Sequence, residues 1–131
     1  MTVTVHAILA FGQPVFAGVY LTGSIRGLEL HARGADVVFT LGVVQFVIAV
    51  AISVRSRRVW HVVASALVTA AEALQYLVGM SGRLWVHFPF GVAIISGLAL
   101  YAVAAWAQAL PARPVRTDPR RTRVRAETVD A

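Results

Sequence analysis

The sequence has no cysteine and no lysine, and only six acidic residues in 131. Without cysteine there is no disulfide, no thiolate metal site and no thiol nucleophile. Charged residues make up 14% of the chain against 58% hydrophobic, a balance foreign to a soluble domain of this length and ordinary for an integral membrane protein. All 12 basic residues are arginine, the bias of a GC-rich bacterial coding sequence. The formal net charge of +6 does not point to nucleic acid, because the arginines cluster between apolar runs and near the C-terminus, where positive charge orients membrane proteins. Nucleotide-binding glycine loops, HExxH zinc helices and serine elbows are missing too, which leaves hydrolase and kinase chemistry without support. No basic residue precedes Arg26, so the first apolar stretch lacks the charged start of a signal peptide and is expected to be retained.

What is present is four apolar runs, at 5–22, 37–54, 59–79 and 84–108. Spanning a bilayer takes roughly 20 apolar residues at about 1.5 Å rise each. The runs lack the polar alternation of a membrane barrel, and the connections are short. The expected fold is all-α, a four-helix transmembrane up-down bundle within residues 1–110. Arg55, Arg57 and Arg58 fall between runs two and three, and Arg113, Arg116, Arg120, Arg121, Arg123 and Arg125 follow run four. Those nine are expected in the cytoplasm, with both termini, of a bacterial plasma membrane protein. Arg26, Arg33 and Arg83 then belong to the two outer loops. Residues 111–131, with Pro111, Pro114 and Pro119 among charges, read as a basic disordered cytoplasmic tail that enforces topology or meets anionic lipid.

Runs two and four point the same way, so depth is comparable by counting. His31 stands 24 residues before Arg55, and His87 stands 24 before Pro111. Two imidazoles at one depth on diagonal helices form the arrangement that holds a haem iron from both axial sides. Gly34 and Gly91 follow within one turn, where a missing side chain leaves room for a flat macrocycle, and Arg83 with Arg33 or Arg26 offers partners for propionates. The competing reading is that an interfacial histidine is simply an amphipathic residue at headgroup level. His6 and His61 form a second pair by the same count, a candidate second haem site nearer the cytoplasm.

Glu72 lies deep in run three, where an ionisable group is costly enough to suggest function. Ser65, Thr69, Glu72, Tyr76 and Gly79 recur on one helical face that should point into the bundle, with Gln13, Gln45 and Gln75 as candidate partners. Interhelical hydrogen-bonding glue, a proton relay and a transporter's coupling site all fit this stripe.

The segments "YLTGS", "LELH", "LQYLVG" and "WVHFPFG" stand in the order found in one four-helix half of the heme A synthase family, which the chain resembles over roughly residues 20–91. The resemblance implies that His31 and His87 are axial haem ligands near the outer side and that Glu29 corresponds to that family's glutamate, two residues before the histidine here rather than three. The family's second half and its outer-loop cysteine pair have no counterpart.

Four functions are consistent with these residues. The first is a small b-type membrane cytochrome with haem b between His31 and His87, exchanging electrons with a quinone or a redox protein. The others are a haem-modifying homodimer that would use Glu29, a small ion-coupled transporter using Glu72, and an accessory membrane subunit with no cofactor.

Overall fold

In the computed structural model, which describes residues 2–109, the chain forms four α-helices and, among those residues, no strand. Helix α1 spans Thr2–Leu21, α2 Ile25–Ser56, α3 Trp60–Met80 and α4 Leu84–Ala109. All four are long and apolar enough to cross a membrane. The expected tail at 111–131 lies outside the described residues.

Connections at 22–24, 57–59 and 81–83 turn each helix back on the one before. Gly23 and Gly82 take φ of +95° and +71° in the first and third, a region that side chains disfavour. Arg57, with φ of 55°, closes α2, and its N–H donates to the Ser53 carbonyl at 2.8 Å. The helices pack in a ring, α1 on α2, α2 on α3, α3 on α4 and α4 on α1, while neither diagonal pair brings Cα atoms within 8 Å. The result is the up-down bundle that the short connections imply. The end with the Gly23 and Gly82 turns is termed the outer end, after the orientation expected from the arginines, and the end with Arg55, Arg57 and Arg58 the inner end.

Burial is inverted relative to a soluble domain. Trp85, Val54 and Met80 are 80%, 79% and 77% exposed, whereas His6, Gln45, Ser65 and Glu72 are buried beside Ala7, Ala10, Val38 and Leu98. An apolar exterior of this extent needs hydrocarbon around it, and polar side chains then have nowhere to go but the bundle axis.

Helix α2 departs from expectation at its start, beginning at Ile25 rather than near residue 37. Its 32 residues rise roughly 48 Å, well beyond a hydrocarbon core of about 30 Å, so its polar first turns stand at the outer end. Leu28, His31, Ala32 and Ala35 explain why those turns are helical: they recur at helical spacing and line one shared cavity. Arg26 and Arg33, expected in a loop, are therefore helical and exposed.

The hairpin of α1 and α2 closes on Gly27. A Cβ there would collide with the Tyr20 backbone nitrogen and come 2.8 Å from the Val19 carbonyl carbon, both of them backbone and unable to yield. Replacing Gly27 by Ala should cost about 1–3 kcal/mol, as overpacking does. Gly18→Ala, which meets nothing within 4 Å, should be near neutral, and thermal unfolding in detergent compares the two.

Candidate functional site

At the outer end the diagonal helices α2 and α4 present His31 and His87 to each other, with ring centres 6.0 Å apart and planes at 80°. Each ring is held in the same way by the helix that precedes it. His31 Nδ1 lies 3.1 Å from the Gln13 carbonyl oxygen of α1, and His87 Nδ1 lies 3.2 Å from the Gln75 carbonyl oxygen of α3. A carbonyl oxygen only accepts, so both Nδ1 atoms carry the proton and both neutral rings keep a lone pair on Nε2. Neither Nε2 has a hydrogen-bond partner among the described residues. This is how proteins orient an imidazole that ligates a metal through Nε2.

Both rings line a half-open cavity of about 270 Å³, whose lining includes the small residues Ala17, Ala32, Ala35 and Gly79 and the exposed Leu28 and Phe88. Gly79 gives His87 its place, since a Cβ there would stand 2.8 Å from the ring's Cε1. Gly34 and Gly91, expected to clear space for a macrocycle, do something else. A Cβ on Gly34 would collide with the Gln13 amide nitrogen, and one on Gly91 would come 2.7 Å from that of Gln75. Their missing side chains seat the two carboxamides, and the Gln75 amide donates to the His87 carbonyl at 2.8 Å.

The charged residues expected nearby stay outside the cavity. Arg33 and Arg83 are exposed and absent from its lining, and so is Glu29. Arg83 precedes His87 by one turn, its carbonyl accepting the His87 N–H at 3.0 Å. Arg33 follows His31 by two residues, roughly 200° around the helix, and so projects from another face.

His6 and His61 do not form the second pair that counting suggested. His6 is fully buried, with Nε2 2.8 Å from Glu72 Oε1 and Nδ1 3.3 Å from Gln45 Oε1. His61 sits at the inner end against Trp60, ring centres 3.8 Å apart, and its Nδ1 lies 3.3 Å from the Tyr101 hydroxyl. Counts of 17 residues from His6 to Gly23 and 18 from His61 to Gly79 set a similar depth and leave rotation about the helix axis free, and the two rings turn to different partners.

The stripe on α3 runs largely as expected. Ser65 and Glu72 are buried, Glu72 fits against Gly42 of α2, and Tyr76 turns outward to donate to Asp36 Oδ1 at 3.0 Å. Among the described residues no group of three or more His, Asp or Glu side chains could hold a bare metal ion. No family model, curated protein or solved structure matches the chain.

What sequence reasoning missed was the role of the glutamine backbone. The signal was present as one Gln on each of α1 and α3 ahead of one His on each of α2 and α4, separated by 18 and 12 residues across the two turns. Nitrogen-15 NMR of the histidine-labelled protein, assigned with His31→Gln and His87→Gln, should show both rings as the Nδ1-protonated tautomer near neutral pH. A predominantly Nε2-protonated ring at either position would contradict the geometry.

Proposed function

We propose that this chain is a small b-type membrane cytochrome that holds haem b between His31 and His87 and carries electrons rather than transforming a substrate. The observation that carries the reading is the pair itself: two imidazoles on diagonal helices, 6.0 Å between centres, each with Nδ1 anchored and Nε2 free. An imidazole nitrogen ligates a transition metal at about 2.0–2.1 Å, so two rings on opposite sides of one ion have centres roughly 6 Å apart. A site with only two protein ligands suits a metal whose other ligands come from a macrocycle.

The outer cavity supplies apolar walls at the level of the rings, and its open mouth leaves room for a planar group to project between helices. Arg83 stands where it could meet a propionate at the outer surface, while Arg33 is turned away from the pair. His31 and His87 would hold the haem, which would supply a one-electron redox couple; two protein ligands on one such group favour electron transfer over substrate chemistry. The implied partner is a quinone or a redox protein. The arginine distribution supports a bacterial plasma membrane location with both termini in the cytoplasm.

The resemblance to one half of a heme A synthase supports the same two ligands, but Glu29, the residue that a haem-modifying homodimer would use, is exposed and outside the cavity. The test is a reduced-minus-oxidised visible spectrum of the purified full chain beside His31→Ala, His87→Ala and Glu29→Gln. Sharp low-spin bands should be lost in either histidine variant and kept in Glu29→Gln. A colourless wild type after expression with ample haem overturns the reading.

A further inference from the structure

Inward of the histidine pair lies a second cavity of about 90 Å³, walled in part by Gln13, Glu72, Gln75, Tyr76 and both rings. Gln13 Oε1, Gln75 Oε1 and Glu72 Oε2 are buried with no hydrogen-bond partner among the described residues. Pro14 adds to the shortage of donors, since it has no N–H to give the carbonyl of Ala10 on the same wall. Several orphaned acceptors around one small cavity are the setting in which ordered water is found, and this one is large enough to hold it.

The contact between His6 and Glu72 has a protonic consequence. With Nδ1 donating to Gln45 Oε1, a neutral His6 presents a bare lone pair from Nε2 to Glu72 Oε1 at 2.8 Å. Two acceptors at that distance need a proton between them, held either by the imidazole or by the carboxyl. A charge left alone at this depth would be far more costly than the pair.

Among the described residues, the other titratable groups at this cavity are His31 of α2, Tyr76 of α3 and His87 of α4. Helix α1 brings His6; α2 brings Gly42 and Gln45 at this level, with Asp36 farther out against Tyr76; α4 brings Ile94 and Ile95 to the cavity wall. Tyr101 of α4 lies two turns inward along α3, its hydroxyl 3.0 Å from Ser65 and 3.3 Å from His61 Nδ1. Between Ser65 and Glu72, Thr69 contributes another buried hydroxyl without a partner.

We propose that Glu72 and His6, with the water of the inner cavity, form a proton-holding station midway along a path from the inner end, through His61, Tyr101, Ser65 and Thr69, to the histidine pair. One proton is taken up by the carboxylate–imidazole pair and returned to the same path, so nothing is oxidised and no bond other than N–H or O–H is made. The station stands on the geometry alone. Only its role, compensating charge that arrives at the histidine pair, rests on the haem reading.

The experiment is infrared difference spectroscopy of the purified full chain across a pH step, in H2O and in D2O, with Glu72→Gln for assignment. Glu72→Asp, which keeps a carboxyl and moves its band, makes the same assignment if the glutamine variant does not fold. The expected result is a carboxyl band that depends on residue 72, titrates and shifts in D2O. A carboxyl that does not titrate, or a band that stays unshifted in D2O, overturns the station. In the haem-loaded protein, the reduced-to-oxidised ratio at fixed potential should change with pH by up to about tenfold per unit, the limit for one proton per electron. Glu72→Gln should flatten that dependence with the visible spectrum unchanged; an unaltered dependence overturns the proposed role. A protein that binds no haem defeats the cytochrome reading and the role together, and the infrared result still decides the station.

Discussion

Four imidazoles, the carboxamides of Gln13, Gln45 and Gln75 and the deep carboxyl of Glu72 are carried by helices whose outer faces are covered with Val, Leu, Ile and Trp, and in hydrocarbon none of those polar groups can face outward. The bundle has to absorb them along its axis. It does so by opposing long polar side chains with glycine on the next helix: Gln13 against Gly34, Glu72 against Gly42, Gln75 against Gly91 and His87 against Gly79. Small residues are generally the means by which membrane helices approach closely, and here they also set where each polar group ends up. A methyl group at any of the four would push a polar side chain off its partner rather than simply separate two helices.

The same constraint produces an internal likeness between the two hairpins. In each, a glutamine on the first helix offers its carbonyl to the histidine Nδ1 on the second, and the turn between them holds a glycine at positive φ. The separations of 18 and 12 residues differ by six, three on each arm, or about one helical turn. The first hairpin therefore projects a turn farther out while its histidine stays level with the other. That leveling is what lets His31 and His87 face each other across the diagonal.

Helix number, the order of packing and the meeting of His31 with His87 were legible because they depend on two robust signals, apolar length and residue count along parallel helices. The start of α2 was not, because Ile25 to Asp36 carries enough charge to fall below any apolar threshold; its helical stripe of Leu28, His31, Ala32 and Ala35 was the better signal. The roles of Gly34 and Gly91 were misassigned for a related reason. A glycine in sequence announces a close approach without saying by what, and here the occupant is a glutamine of the neighbouring helix. Depth counting likewise failed for His6 and His61, since two rings at one level meet only if both helices are also rotated to bring them inward.

The two histidine arrangements also differ in what they leave unspent. At the outer end each ring uses one nitrogen on a backbone carbonyl, which cannot be ionised, and keeps the other free beside a cavity open at its mouth. At mid-depth His6 uses both nitrogens on buried side chains, one of them the carboxyl of Glu72. The first arrangement fixes the tautomer whose lone pair lies on Nε2; the second holds a proton between nitrogen and carboxyl oxygen. On the proposed reading, the two types on either side of a small cavity walled in part by Gln13, Glu72 and Gln75 would keep ligation apart from protonation. A charge arriving at one would then be answered at the other without either ring changing its role.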